Sequence, residues 1–306
     1  MLRNLRRVAV LTALAAALLP VPVAAVTASH TWCSYRAGTV RLNLASDHVV
    51  RLLVVRGHIE FADLRDYTYH GRCGAATVWN TDRIRLTESV AGTSRLQFDQ
   101  QIGQFGPGRT QEATGVSEIE VYLGTVRDVW LMGRPVRDAV VIGSWGLNIN
   151  GDRDVDLIGA LAEITAFLND GDDLIRAGGG RGTGEPWVPP RGGYLSVYGD
   201  DGRDVIRGTA KRDRLDGEFG ADMVYGFGGN DDVYGGIGND VVDGGSGNDY
   251  VDPSYGADVA AGGSGDDFIS AADYTVDRID GGLGVDAAIV DREDRLSRIE
   301  SVRVGP

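Results

Sequence analysis

Residues 235–252 read Gly235-Gly236-Ile237-Gly238-Asn239-Asp240-Val241-Val242-Asp243 and then Gly244-Gly245-Ser246-Gly247-Asn248-Asp249-Tyr250-Val251-Asp252. Both halves follow one nine-residue pattern: a glycine-rich turn, an aspartate at the sixth place and an aliphatic residue two places later. The glycines permit positive φ, and the alternation after the aspartate indicates a short strand with one buried side chain. Two units complete one coil of a flattened solenoid, so units two repeats apart are predicted to stack.

The same register extends in both directions. Its units begin at Gly199, Gly208, Gly217, Gly226, Gly235, Gly244 and Gly262, and one further unit begins at Pro253. A one-residue insertion near Ala271 shifts the frame before Asp277 and Asp286. The parity predicts that Asp204, Asp222, Asp240 and Asp258 share one edge of the solenoid, and that Asp213, Asp231, Asp249 and Asp267 share the other.

Acidic charge is concentrated in this region. Residues 199–291 hold 20 Asp and one Glu against five Arg and one Lys, a balance of −15 in a chain whose net charge is −14. Such a block repels nucleic acid and anionic membranes, and it repels itself unless cations neutralise it. The composition therefore points to bound cations and away from nucleic-acid partners.

The units resemble the G-G-x-G-x-D nonapeptides of RTX (repeats-in-toxin), or haemolysin-type, calcium-binding proteins. The resemblance implies an all-β fold, a parallel β-roll (a right-handed β-solenoid) with several Ca²⁺ ions between its turns, about four to six by the oxygen ligands that Ca²⁺ requires. The expected metal ligands are Gly217, Asp222, Gly226, Gly229, Asp231, Gly235, Gly236, Gly238, Asp240, Gly244, Gly245, Gly247, Asp249, Asp258, Gly262, Gly263, Gly265 and Asp267. Lys211 and Arg212 stand where Gly and a neutral residue belong, so full sites are expected only between Gly217 and Asp267.

The chain start predicts export. Arg3, Arg6 and Arg7 precede the apolar stretch from Val8 to Leu19, and cleavage is expected near Ala28, so residues 1–28 are interpreted as a signal peptide of a secreted, extracellular protein. In an exported chain, Cys33 and Cys73 predict a disulfide. The alternatives for the two cysteines are free thiols and a metal pair.

The rest of the chain divides into further predicted units. Residues 29–125 carry alternating strands and form an N-terminal β module with the disulfide. Residues 126–198 pair Asp with aliphatic strands but lack the glycine pairs, and are interpreted as irregular β-solenoid turns with a Pro/Gly loop. The calcium-binding roll covers 199–291, and residues 292–306 provide a C-terminal cap strand.

No catalytic constellation is recognisable, since all four histidines lie at or before His70 and the glycine-rich turns lack a phosphate-binding Lys-Ser/Thr. The leading hypothesis is a non-enzymatic protein with calcium ions as its partners, no membrane insertion, and folding of the roll coupled to Ca²⁺. One alternative is a surface or matrix adhesion module that binds glycan or protein through residues 29–125. The other is a secreted hydrolase with an unrecognised site in the N-terminal half.

Overall fold

The structure, a computed structural model, describes residues 32–305 apart from 38, 46–47, 57, 65–67, 78–82, 89–93, 100–119, 124–125, 135–137, 145, 149–156, 159–160, 180–184 and 191–192. The proposed signal peptide lies outside the described residues. All regular elements in the described part are strands, and no helix there is long and apolar enough to cross a membrane. The prediction of an all-β fold is confirmed.

The strands fall into an irregular and a regular group. The irregular group is β1 (Trp32–Arg36), β2 (Thr39–Leu44), β3 (Val49–Val55), β4 (His58–Asp63), β5 (Thr68–Thr77), β6 (Arg83–Glu88), β7 (Arg95–Asp99), β8 (Glu120–Tyr122), β9 (Asp128–Met132), β10 (Ala139–Gly143), β11 (Gly146–Asn148), β12 (Leu157–Ile158), β13 (Glu163–Phe167) and β14 (Leu174–Arg176). The regular group is β15 (Leu195–Tyr198), β16 (Asp201–Gly202), β17 (Val205–Arg207), β18 (Asp213–Asp216), β19 (Phe219–Gly220), β20 (Met223–Tyr225), β21 (Asp232–Ile237), β22 (Val241–Ser246), β23 (Tyr250–Tyr255), β24 (Val259–Ser264), β25 (Phe268–Ala271), β26 (Arg278–Leu283), β27 (Ala287–Val290), β28 (Arg295–Ser297) and β29 (Ser301–Val304).

Successive strands of the regular group alternate between two long sheets. The first sheet runs β1-β2-β6-β8-β12-β11-β10-β14-β17-β20-β22-β24-β26-β28, and the second runs β5-β4-β3-β7-β9-β13-β15-β18-β21-β23-β25-β27-β29. Val224 pairs with Val242 in the first sheet and Val233 with Val251 in the second, both in parallel. Each coil of the roll therefore contains two strands and eighteen residues, as the parity predicts.

The core lies between the two sheets, and each sheet contributes one layer of buried side chains to it. The aliphatic residue two places after each repeat aspartate is buried at every unit: Ile206, Leu215, Val224, Val233, Val242, Val251, Ala260 and Ile269. Each buried Val, Leu or Ile contributes about 1.5–3 kcal/mol relative to an exposed one. The core accordingly holds the two sheets together along the whole roll.

The same two sheets continue through the N-terminal half, where the coils are longer. Strands β2 and β3 pair in parallel with β6 and β7, while β1, β4, β5, β11 and β12 are added by antiparallel pairing. A disulfide joins Cys33 to Cys73, with 5.4 Å between their Cα atoms, so the predicted pairing is confirmed. Both sheets continue across the predicted domain boundaries at residues 126 and 199. The division of the chain into domains stays a prediction.

The Pro/Gly loop packs against the solenoid. Trp187 is buried in the core cluster, and its Nε1 donates a hydrogen bond to the Leu161 carbonyl oxygen at 3.3 Å. At the other end, β28 and β29 extend β26 and β27 in parallel, so residues after 292 form a last half-exposed coil of two strands.

Candidate calcium centre

The repeat aspartates stand where each glycine-rich turn enters its strand. Asp222 immediately precedes Met223 at the start of β20, and Asp240 precedes Val241 at the start of β22. Since the strands pair one coil apart, the aspartates stack along the two edges at the strand spacing of about 4.8 Å. All repeat aspartates from Asp204 to Asp286 are nevertheless almost completely buried.

One oxygen of each aspartate forms a ladder with the preceding coil. The backbone N–H of Asp222 donates to Oδ1 of Asp240 at 2.8 Å, and the N–H of Asp240 donates to Oδ1 of Asp258 at 2.7 Å. The first aspartate column, linked in this way, is Asp138, Asp173, Asp204, Asp222, Asp240, Asp258, Asp277 and Asp294. The second aspartate column is Asp213, Asp231, Asp249, Asp267 and Asp286. The predicted sorting of the carboxylates onto two edges is confirmed.

The second oxygen of most of these carboxylates has no partner among the described residues. Ten buried Oδ2 atoms accept no hydrogen bond from the described residues: those of Asp173, Asp204, Asp222, Asp231, Asp240, Asp249, Asp258, Asp267, Asp277 and Asp286. A buried anionic oxygen without a donor is costly, and native structures contain only a few buried polar groups without a partner. Ten in register indicate that a cation binds there.

The electrostatics of the columns lead to the same conclusion. Burial, reinforced by the neighbouring carboxylates of each column, raises the pKa of Asp222 to about 7, of Asp231 to about 8 and of Asp258 to about 7. The N–H donated to each Oδ1 lowers these pKa values but does not offset burial. A bound cation would supply the missing counter-charge and keep the carboxylates ionised.

The first glycine of each unit leaves room beside the free oxygen. A Cβ on Gly235 would lie 2.8 Å from Oδ2 of Asp240 and 2.5 Å from the carbonyl oxygen of Pro253 in the next coil. The same crowding, closer than 3.0 Å to an aspartate oxygen and to a carbonyl one coil on, would occur at Gly217, Gly226, Gly244 and Gly262. Carboxylate and carbonyl oxygens therefore converge on a cradle that any side chain would fill.

The second residue of the turn lies in the left-handed region at every aspartate of the regular coils with a free oxygen except Asp277, where Tyr274 at the third position has the positive φ. Asp200, Glu218, Phe227 and Ser254 have φ between 66° and 72°, and the glycines at this position, Gly236, Gly245, Gly263 and Gly282, have φ between 101° and 110°. The remaining predicted glycines, Gly229, Gly238, Gly247 and Gly265, lie at the fourth position and also have positive φ.

Three column aspartates differ. Asp294 ends the first column, and its Oδ2 accepts the N–H of Asp291 at 2.6 Å, whereas the other two lie at the start of a column. The N–H of Thr209 and its hydroxyl donate to the two carboxylate oxygens of Asp213, at 2.5 and 3.0 Å. The N–H of Arg134 and its Nε bind the carboxylate of Asp138 in the same manner, at 2.7 and 2.5 Å. Neither Thr209 nor Arg134 has a positive φ. Protein donors thus replace a cation where each column begins.

The donor set fits calcium. Nowhere in the described ranges do three His, Cys, Asp or Glu side chains converge as a metal cluster, so an ion at these edges would take backbone oxygens as ligands too. Ca²⁺ takes six to eight oxygen ligands and accepts backbone carbonyls beside carboxylates. The stacked turns offer both, whereas a Zn²⁺ site would need the nitrogen or sulfur ligands that are missing from these edges.

Comparison with known protein families gives the same result. The model of the RTX calcium-binding nonapeptide repeat matches residues 198–231 and 225–254. The chain carries RTX repeats. These RTX repeats bind calcium ions, several in the repeat region, and their parallel strands form a β-roll. No curated protein matches the chain at a significant level.

The structure also places carboxylates that the sequence treated as doubtful or missed. Asp173, Asp204, Asp277 and Asp286 carry the same orphaned Oδ2 as the aspartates between Gly217 and Asp267. Burial raises the pKa of Asp173 to about 8. The motif Asp173-Leu174-Ile175 contained the signal, because its aspartate precedes an aliphatic strand, but its turn lacks the glycine pair that marks a full unit.

Proposed function

We propose that this protein is an extracellular, non-enzymatic calcium-binding protein whose roll folds as it binds Ca²⁺. The observation that carries the proposal is the set of ten buried aspartate oxygens, stacked in two columns, that accept no hydrogen bond from the described part of the chain. The proposed ligands are the carboxylates of Asp222, Asp231, Asp240, Asp249, Asp258 and Asp267, with backbone carbonyls of the glycine-rich turns that begin at Gly217, Gly226, Gly235, Gly244 and Gly262. Asp173, Asp204, Asp277 and Asp286 extend the two columns.

The arrangement also supports a proposal for the number of ions. We call the space between two consecutive aspartates of a column an interval when both have a free Oδ2. The first column has five intervals, from Asp173 to Asp277, and the second has three, from Asp231 to Asp286. We assign one calcium position to each interval, eight in all. This exceeds the four to six expected from the sequence because four more carboxylates take part.

Coupling of folding to calcium follows from the charges. Without cations, stacked carboxylates in a dry environment repel one another and raise the free energy of the folded roll. A ligand that binds the folded state and not the unfolded state stabilises it by mass action. A chain made where calcium is scarce would therefore fold on reaching a calcium-rich exterior.

Support for the extracellular setting comes from the chain start, whose residues 1–28 have the three-part pattern of a signal peptide, and from the disulfide between Cys33 and Cys73. Support for a non-enzymatic role comes from the repeat, which is typical of binding and structural modules. Adhesion through residues 29–125 and a hydrolase site in the N-terminal half remain predictions, to be tested by pull-down of cell-wall material and by a hydrolase panel.

The deciding experiment is a far-UV circular dichroism titration of the mature chain with Ca²⁺ after chelation, combined with elemental analysis of bound calcium. We expect a cooperative coil-to-β transition that Mg²⁺ does not reproduce, because Mg²⁺ dehydrates reluctantly and requires octahedral geometry. An unchanged β spectrum in chelator would show that the hydrophobic core suffices and would end the coupling proposal. A bound calcium content near zero would end the binding assignment as well.

A further inference from the structure

A cleft of about 820 Å³ opens on the outer face of the second sheet, beside the head of the second aspartate column. One wall is the end of the Pro/Gly loop, with Pro189, Pro190 and Tyr194. The floor and opposite wall carry Tyr198 from β15, together with Lys211 and Arg214. Its volume lies within the range of about 300–1,000 Å³ that is usual for small-ligand sites.

The cleft concentrates positive charge in an acidic protein. Lys211 is the single lysine of the chain, and Arg212 and Arg214 line the cleft beside it. Arg212 is paired with Asp232 at 2.8 Å across an exposed contact, while Lys211 forms no salt bridge within the described part of the chain. Two carboxylates, Asp213 and Asp232, also line the cleft, so its three cationic side chains outnumber the acidic ones by one.

Aromatic rings extend from the cleft in both directions along the sheet. Tyr198 stacks on Phe167, with ring centroids 5.1 Å apart, and Phe167 meets the edge of Trp130 at 6.5 Å. On the other side the Arg214 guanidinium lies 4.5 Å from the centre of the Tyr234 ring, which contacts Tyr250. Within the cleft, Tyr194 is 40% exposed.

We propose that this cleft binds an anionic glycan, a polysaccharide segment whose sugar rings carry carboxylate or sulfate groups. Lys211 and the arginines would bind the anionic groups, since Arg and Lys form charge-assisted hydrogen bonds with such oxyanions. The exposed ring of Tyr194 suits the polarised C–H bonds of a pyranose ring because aromatic faces are electron-rich. The row of rings gives a longer glycan a path along the sheet.

The assignment goes beyond calcium binding but uses the same coils. Lys211 and Arg212 occupy the turn whose Thr209 replaces a cation at the head of the second column, so this turn presents cations outward where later turns are proposed to take calcium inward. Calcium in the later turns would also reduce the negative charge around the cleft. The glycan site therefore depends on the proposed function only through the folding of the roll.

The test is isothermal titration of the calcium-loaded mature chain with oligogalacturonate, with heparin oligosaccharide and with neutral cello-oligosaccharide. We expect one or both anionic probes to bind, more weakly at high salt, and the neutral probe to bind at least tenfold more weakly. Preference between the anionic probes identifies carboxylate or sulfate as the recognised group. Failure of both anionic probes to bind, or equal affinity for the neutral one, would overturn the proposal.

Two variants and one control locate the site. Lys211→Gln and Tyr194→Ala should each weaken binding about tenfold, the loss expected when a charge-assisted bond or a ring contact is removed. Arg278→Gln removes the same charge from an exposed position on the other sheet and should leave the affinity unchanged. Equal weakening by all three would assign binding to net charge and refute the site. If the roll proves to be folded in chelator, the titration can be repeated there. A failure of the calcium proposal can then be told apart from a failure of the glycan proposal.

Discussion

Replacing Asp240 by Asn separates the two roles of this carboxylate. Its Oδ1 accepts the N–H of Asp222 at 2.8 Å, whereas its Oδ2 is buried and has no donor in the described structure. An Asn side chain has nearly the same shape, and its amide oxygen can keep the bond to Asp222. The amide nitrogen that replaces Oδ2 has no lone pair to offer a cation. Asp240→Asn should therefore lose calcium and keep the ladder.

The expected effect has opposite signs with and without calcium. An ion that binds the folded state alone, at about 100 times its Kd, stabilises it by about 2.7 kcal/mol. With calcium at that excess, each ion lost lowers the free energy of unfolding by this amount, and the Tm by about 5 °C in a chain of this size. Without calcium the variant should be more stable than wild type, because burial raises the pKa of Asp240 and the neutral amide avoids the cost of the buried charge.

The assay is thermal unfolding followed by circular dichroism, in calcium and in chelator, with bound calcium counted by elemental analysis. Asp266→Asn is the matched control. Asp266 is exposed in the turn, its Oδ1 accepts the N–H of Val285 at 3.0 Å, and Asn248 forms the equivalent bond one coil earlier. The control removes the same charge and should change neither the Tm nor the calcium content. An equal fall in Tm for Asp240→Asn in calcium and in chelator would show that Asp240 acts only as a structural hydrogen-bond acceptor.

Three further perturbations test the same account. Freed of calcium, the roll should become more stable by about 1 kcal/mol or more per carboxylate as the pH falls from 8 to 5. The reason is that the folded pKa values of Asp231 and Asp258, about 8 and 7, exceed the unfolded value near 3.9. A urea midpoint that stays constant or falls over this range would contradict these pKa shifts. Thr209→Gly removes the hydroxyl donor and permits a positive φ at residue 209, so elemental analysis should find one more bound calcium ion. An unchanged calcium content would show that φ at this position does not control ion binding. Replacing both Cys33 and Cys73 by Ser opens a loop of 40 residues and should lower the free energy of unfolding by about 3–4 kcal/mol, measured in denaturant; no change would mean that the N-terminal coils are held by packing alone.

The nine-residue period predicts the regular coils because each of its places has one physical task. Place six supplies the carboxylate, place eight the buried aliphatic residue, and the glycines the tight turn. Asp240 and Val242 therefore occupy the edge and the core as expected, as do their counterparts one coil away. The pairing of Cys33 with Cys73 was also predictable, since no other cysteine is present.

The N-terminal coils could not be predicted in this way. Asp138, Asp173 and Asp204 stack directly, yet 35 and 31 residues separate them in sequence. The first interval includes β11 and β12, which pair antiparallel to each other, and the second contains the Pro/Gly loop. Insertions of this kind erase the period while the hydrogen-bonded ladder continues. The cleft beside Tyr194 could not be predicted either, because it is created by the way the Pro/Gly loop folds.

The backbone at place two of the turn explains which aspartates remain free for calcium in all regular units but one. The exception is Asp277, whose Oδ2 is free although Asp273 at place two is not left-handed and donates its N–H to Asp291. A left-handed residue there, such as Glu218 with φ of 66°, leaves Oδ2 of Asp222 without a donor. Thr209 is β-branched and Arg134 precedes a proline in the sequence, and both conditions disfavour that region. Each of these residues instead directs its N–H at its own aspartate and closes the site. A β-branched or pre-proline residue at place two, where the period expects glycine, thus marks the head of an ion column.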